Sequence, residues 1–276
     1  MNKFHFSEES FAYFKELGLK RIGIVLNNNK KEAVYNRFVK RLRSLYIDSF
    51  DDYCLLLRTN EKEVSVFINL ITNIHTSFFR ENHHFIYLEK IYFPAIIKSK
   101  TKLRIWVASC ATGEEAYSTA ITAYDAIPHI KNMDIKILAT DINTEALQIA
   151  KNGIYETKKI QKMSLEHQQK WFTAIPNTEY MQVDQKLKDL ISFNQLNLIQ
   201  SWPMRGLFDV IFCRNTLIYF SSEIARKIME RFNQYLQPGG LLILGHSEVL
   251  KIKKHYNRVQ TSIYQKSILD AIYEVN

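Results

Sequence analysis

Apolar positions in the first part of the chain recur at helical spacing. Val34, Phe38, Leu42 and Leu45 make one stripe and predict a helix over 30–45. Residues 8–19 read as an earlier helix ended at Gly18 or Gly23, and 50–57 and 61–74 as two later ones. After Pro94 and the basic stretch Lys98-Ser99-Lys100-Thr101-Lys102 the texture changes to short, nearly all-apolar runs. Residues 103–108 (LRIWVA), 135–139 (IKILA) and 208–213 (FDVIFC) have the pattern of strands buried on both faces of a parallel sheet. Residues 191–196 are a weaker case. Helical segments follow these runs at 114–126, 144–151 and 221–236. Pro238-Gly239-Gly240 predicts a turn into a strand over 241–245, and 257–264 supply one or two antiparallel strands.

Alternation of strand and helix at this spacing predicts an α/β fold, a doubly wound Rossmann-like sheet. The expected organisation is a small all-helical N-terminal domain over 1–92 and an α/β domain over 93–276. Residues 153–188 fit neither period and are read as a small inserted subdomain.

Composition narrows the class. The 276 residues are 46% hydrophobic and 24% charged, enough for a sizeable core. No apolar run approaches the ~20 residues that span a bilayer, and the amino terminus lacks a basic-then-apolar leader, so a cytoplasmic location is expected. Cys54, Cys110 and Cys213 are far apart and lack CxxC spacing, which argues against a disulfide framework and a zinc site. The net charge of +9 suits nucleic acid, an acidic membrane or an acidic protein partner. Its distribution says more: residues 20–43 hold eight basic side chains against one acid, Glu32. Arg37, Lys40, Arg41 and Arg43 project off the apolar stripe, either as a solvated face or as a docking surface.

The chemistry gathers at the strand ends, where open α/β sheets bind ligands. The run 103–108 ends in Ser109-Cys110-Ala111-Thr112-Gly113, small residues that let a ligand approach the backbone. A pyrophosphate loop would hold more glycine, and Glu114 and Glu115 would repel a phosphate. That argues against NAD or ATP and for a ligand with a cationic part. Asp141 ends the next strand, where an acid either accepts from ribose hydroxyls or caps the following helix. Arg214 and Asn215 follow Cys213 in the same row, as ligand contacts or as loop caps. An adenosine cofactor with a positive charge and no phosphate is S-adenosylmethionine. Its cationic end suits Glu115 and its ribose suits Asp141.

With these residues the chain resembles the CheR-type methyltransferases, the protein-glutamate O-methyltransferases of bacterial chemoreceptors. The resemblance runs over ITNIHTSFFRE (71–81), ASCATGEEAYS (108–118), ATDIN (139–143), Asn197-Leu198, FDVIFCRNTLIYF (208–220) and GHSE (245–248), in order. It implies S-adenosylmethionine contacts at Thr76, Arg80, Glu115, Asp141, Asn197, Leu198, Arg214 and Asn215, and a tyrosine near the transferred methyl at Tyr219. One departure stands out. Many members have Asn two residues before the threonine, whereas this chain has Ile74, with Asn73 one step away.

The implied reaction gives a glutamate methyl ester and S-adenosylhomocysteine, without a metal, on the helical cytoplasmic region of a chemoreceptor. A glutamate with a pKa near ~4.3 is already ionised at neutral pH, so alignment matters more than a base. Arg80 and Arg214 either orient the acceptor carboxylate or only hold the cofactor, while Tyr219 positions the methyl. The basic helix then becomes a surface for a glutamate-rich partner. Two rivals remain. A nucleic-acid methyltransferase would carry (N/D)PP(Y/F) or Pro-Cys where this chain reads CRNTLIYF. A cofactor-binding regulator without turnover would have little reason to retain Arg80, Glu115, Asp141, Arg214 and Tyr219 together. His83, His84 and His246 lack metal-ligand spacing and are read as structural.

Overall fold

The structure, a computed structural model, describes residues 4–268. Four helices come first: α1 (Glu8–Ile22), α2 (Lys31–Ser44), α3 (Phe50–Thr59) and α4 (Glu61–Ile71). Ser7, Ser49 and Asn60 begin α1, α3 and α4, each accepting from a backbone N–H of the first turn. Gly23 ends α1 with φ 75°, a left-handed residue that β-carbons disfavour. The helices close around Phe11, Phe14, Phe38, Phe50, Tyr53 and Phe67, all fully buried. Helix α4 stops three residues short of Ile74, because Thr72 is already extended.

The sequence pattern did not reveal the helical run that follows. It comprises α5 (His83–Tyr87), a π segment (Leu88–Tyr92) and α6 (Phe93–Ile96). Pro94 sits inside this run, in the first turn of α6, so it does not end the helical region. Phe78, Phe85, Leu88, Tyr92 and Phe93 pack with the sheet and not with the four-helix core. Residue 92 therefore falls within a continuous helical run, and side chains change partners between Ile71 and Phe78.

Strands β1 (Lys102–Ala108), β2 (Asp134–Asp141), β6 (Ile191–Gln195), β7 (Phe208–Cys213), β8 (Leu236–Leu244), β9 (Tyr256–Gln260) and β10 (Ile263–Lys266) form one sheet, ordered β6-β2-β1-β7-β8-β10-β9. The first five run parallel and β10 is antiparallel to both neighbours. Alternate residues serve opposite layers. Ile105 and Val107 pack towards α7 (Glu114–Ala126) and α8 (Thr144–Asn152), while Trp106 and Ala108 pack towards α12 (Ser222–Tyr235). One expected turn is absent: Pro238, Gly239 and Gly240 lie inside β8, at a register shift against β7. Gly240 permits this, since a β-carbon there would come within 2.9 Å of the Asp209 carbonyl.

The insert is a three-stranded antiparallel sheet of β3 (Ile154–Glu156), β5 (Tyr180–Val183) and β4 (Phe172–Ala174). Three short helices complete it: α9 (Thr157–Ile160), α10 (Leu165–Trp171) and α11 (Gln185–Asp189). Its short strands and helix fragments explain why no single period marked it. No helix among the described residues is long and apolar enough to cross a membrane.

Candidate active site

From β1 the sheet grows through β2 to one side and through β7 to the other, so a crevice opens at their carboxyl ends. The larger cavity there holds about 600 Å³ of space, partly open to solvent. Ser109, Asp141, Leu196, Asn197, Leu198, Asn215, Thr216 and Tyr219 line it from the sheet side. Ile22, Ile24, Thr72 and Asn73 close it from the helical domain. That roof is tied down by backbone: Ile24 bridges Phe220, and the Val25 N–H donates to the Tyr219 carbonyl at 2.9 Å. Asn197 adds a side-chain tie, Nδ2 donating to the Arg21 carbonyl at 2.8 Å.

A smaller cavity of about 370 Å³ adjoins it, lined by Thr76, Arg80, Glu115, Arg214 and His75 among others. Asn73, Ser109, Asn215 and Thr216 line both. All nine residues expected at the cofactor and the methyl therefore meet in one crevice. Arg37, Lys40, Arg41 and Arg43 line neither cavity.

Asp141 is buried at the end of β2. Its Oδ2 accepts from the Ala111 N–H at 2.8 Å, and its Oδ1 from the Asn143 N–H at 2.9 Å. Oδ2 also accepts from the Ser109 hydroxyl at 3.4 Å, so Oδ1 is the oxygen with capacity to spare for a ligand hydroxyl. Burial pushes this carboxyl up, against the pull of those backbone donors. Glu115, in the first turn of α7, presents Oε2 to Arg214 Nη1 at 2.6 Å. Burial raises its carboxyl too, and Arg214 opposes the rise. Two buried carboxylates, one in each of the adjoining cavities, favour a cation in the crevice and disfavour a phosphate.

Arg214 has little freedom. Its side chain is 1% exposed, pairs with Glu115, donates to the Arg80 carbonyl and stands 3.5 Å from Glu81. Arg80 is only partly buried, with Nη1 donating to the His75 carbonyl at 3.1 Å. The two arginines that looked equivalent in sequence are thus unlike: one is an internal brace and the other keeps free donors.

Three residues organise the site without having been expected to. Glu248, the acid of GHSE, accepts from the N–H groups of Asn215, Thr216, Leu217 and Gly245 at 2.6–2.9 Å. It clamps the loop after β7 to the loop after β8, and Gly245 leaves the room, since a β-carbon there would meet Asn215 at 2.7 Å. Glu81 accepts from His246 and Asn215 and faces Arg214. Burial works against its ionisation, yet these partners outweigh it and hold the carboxyl at about 2. Asn73 donates to the Tyr219 hydroxyl at 3.0 Å, so the displaced asparagine still reaches the site. Glu81 and Glu248 stood in quoted motifs, but their partners lie on loops far away in sequence. Ser109, Ala111, Glu81 and Asn215 all have φ between 46° and 68°, strain on the order of 1–3 kcal/mol each concentrated around one crevice.

Comparisons with known proteins identify the family. The description "CheR methyltransferase, SAM binding domain" matches residues 74–265, and "CheR methyltransferase, all-alpha domain" matches 9–72. The chain belongs to the CheR methyltransferase family. A probable chemotaxis protein methyltransferase of Rhizobium etli is 40% identical over 234 residues, covering 82% of this chain and 87% of that one. Chemotaxis protein methyltransferase 2 of Pseudomonas aeruginosa is 35% identical over 274 residues, 98% of this chain and 94% of its own. The Escherichia coli chemotaxis protein methyltransferase is 38% identical over 247 residues, 88% and 85% respectively. This CheR methyltransferase is S-adenosylmethionine-dependent, and the two-carboxylate crevice has the donors and acceptors such a cofactor needs.

Proposed function

We propose that the chain methylates glutamate side-chain carboxylates on the helical cytoplasmic region of chemoreceptors, giving methyl esters and S-adenosylhomocysteine in chemotaxis signalling. In this reading the protein works in the cytoplasm beside those receptors. The larger cavity takes the adenosine, with Asp141 accepting from the ribose and Asn197 and Leu198 beside the base. The smaller cavity takes the methionine end, with Glu115 facing the ammonium and Thr76, Arg80, Arg214 and Asn215 around it.

The observation that carries the acceptor assignment is Arg80. It lines the smaller cavity, only partly buried and with guanidinium donors to spare, within the crevice that Tyr219 also lines. A planar cation suits an acceptor that arrives as a carboxylate. Arg214, already committed to Glu115, acts as the brace that keeps Glu115 in place.

Bound S-adenosylmethionine supplies an electrophilic methyl on a positive sulfur. The chain's part is alignment: Arg80 holds one acceptor oxygen while Tyr219, fixed by Asn73, holds the approach to the methyl. Well-oriented reactants gain up to roughly 7–11 kcal/mol from proximity. No proton has to be moved, because the acceptor oxygen already carries the electron pair that forms the new C–O bond. The helical roof closes one side of the larger cavity, which reduces the water around the neutralisation of opposite charges.

The basic face of α2 is the candidate receptor contact, carried by Lys40 and Arg43, which are exposed. Arg37 is exposed as well and no acid among the described residues neutralises it, whereas Arg41 contributes less because the fold pairs it with Glu63. Arg37 donates to the Leu70 and Thr72 carbonyls at the end of α4, and Arg41 forms a two-pronged pair with Glu63 at 2.9 and 2.5 Å.

The test is transfer of radiolabelled methyl from S-adenosylmethionine to a receptor signalling-domain fragment, followed by mild base. Label released as methanol supports the carboxyl ester. Base-stable label sinks the glutamate assignment.

A further inference from the structure

The insert touches two segments that supply lining residues of the smaller cavity, 76–80 and 109–115. Tyr155 on β3 is 2% exposed, and its hydroxyl donates to the Thr112 carbonyl at 2.6 Å. Thr112 belongs to the turn that leads into Glu115. Burial keeps the phenol protonated, hence a donor. The same ring stands edge-on to Phe78, with centroids 5.1 Å apart, and Phe78 lies in sequence between Thr76 and Arg80, which line the cavity. Gly113 makes this approach possible. A β-carbon there would meet the Tyr155 hydroxyl at 3.0 Å and Ala150 Cβ at 2.7 Å, and its φ of 94° is the left-handed turn.

Two further contacts repeat the theme. Lys159 of α9 reaches Glu114 Oε1 at 2.7 Å, while Thr112 Oγ1 donates to Glu114 Oε2 at 2.6 Å. His167 of α10 stacks on Phe79 at 5.3 Å and 11°, and the Phe79 N–H donates to Ser118 Oγ on α7 at 2.9 Å. Each links the insert to the cofactor turn, to the 76–80 segment, or to both.

We propose that Tyr155 is a positioning residue for the cofactor, holding the Thr112 carbonyl and the Phe78 wall so that Glu115 and Arg80 keep their spacing across the cavity. The inference rests on the reading of that cavity as the methionine end of the S-adenosylmethionine site. It gives the insert a role inside the catalytic domain, as a wedge behind the cavity.

Tyr155→Phe tests it, since the ring and its packing remain and only the hydrogen bond goes. Calorimetric binding of S-adenosylhomocysteine to the unaltered protein comes first. No binding there overturns the cavity reading and the proposal with it. Given binding, Tyr155→Phe raises the Kd for S-adenosylhomocysteine and the KM for S-adenosylmethionine by roughly five-fold, about what one neutral hydrogen bond supplies. Turnover at saturating cofactor falls by less than KM rises. A tyrosine that merely stabilises the fold would lower the melting temperature and the active fraction and leave Kd and KM unmoved. That pattern, or no change at all, overturns the positioning role.

Discussion

The basic face of α2 and the strand-end crevice pose the same problem in sequence and solve it differently. Each offers cations that look interchangeable: Arg37, Lys40, Arg41 and Arg43 on the helix, Arg80 and Arg214 at the crevice. In each place the fold consumes part of the set. Arg41 belongs to buried Glu63, which also accepts from the Tyr53 hydroxyl at 2.7 Å, and Arg214 belongs to Glu115 and Glu81. The burial is not equal, however. Arg41 is 30% exposed and Arg214 only 1%, so the same kind of pair is a domain staple in one region and the centre of an active site in the other. A charge read from sequence becomes available to a partner only if no buried acid inside the molecule claims it first.

The sharpest way to break this comparison is to remove the two crevice arginines separately. Arg214→Ala strands the buried Glu115 carboxylate and takes a cation from Glu81, which costs about 3–5 kcal/mol of stability and weakens cofactor binding along with turnover. Arg80→Ala leaves stability within about 0.5 kcal/mol but lowers methyl transfer about 10²-fold, the scale of a lost hydrogen bond to a charge. Thermal unfolding and steady-state kinetics on the two variants decide the matter. Equal melting temperatures would mean that Arg214 is no brace, and unchanged turnover in Arg80→Ala would remove the acceptor assignment.

The helix gives the next largest effect. Arg41→Ala leaves Glu63 and Tyr53 to share a buried carboxylate without a cation, a loss of roughly 2 kcal/mol readable by denaturant titration. Reversing Lys40 and Arg43 to Glu together should leave stability unchanged and slow receptor methylation several-fold, only at low salt. If the reversal has no kinetic effect at low ionic strength, α2 is a solvated face.

The sheet, its order of elements and the crevice were legible in sequence because buried parallel strands leave unbroken apolar runs. Phe208–Cys213 is buried at every position. The 83–96 run was not legible, since a π segment breaks its period and Pro94 imitates a boundary. Nor were Glu81 and Glu248, whose importance lies in which distant N–H groups they accept. Motif order picked out residues that the fold brings to one crevice, but only tertiary contacts separate Arg80 from Arg214.

Acid should expose the crevice through His84 and Glu81. Burial, with Arg214 and His83 nearby, lowers His84 from 6.5 to about 3, so the folded protein keeps it neutral while the unfolded chain protonates it. Glu81 is held at about 2 and stays ionised while its unfolded counterpart takes up a proton near 4.5. In both cases the unfolded chain binds more protons, so stability falls as pH drops: from about 6.5 through His84, and from about 4.5 through Glu81. The slope is about 1.4 kcal/mol per pH unit per proton. His84→Phe should flatten the unfolding curve between about pH 6 and 4 and leave the lower segment. An unchanged upper slope would mean that His84 is protonated in the fold.

The smallest effect concerns the displaced asparagine, and it tests whether geometry can restore what sequence spacing lost. Asn73 stands three residues before Thr76, yet its amide reaches the Tyr219 hydroxyl at 3.0 Å, where both cavities share its side chain. The extra residue is absorbed locally, since Asn73 Oδ1 accepts from the His75 N–H at 3.3 Å. If that bond positions Tyr219, Asn73→Ala and Tyr219→Phe each slow methyl transfer a few-fold, and the double variant is no slower than the worse single one. The coupling would be about 1 kcal/mol, the size of one hydrogen bond. Additive losses would mean that the two side chains act separately, and that Asn73 meets the cofactor without Tyr219.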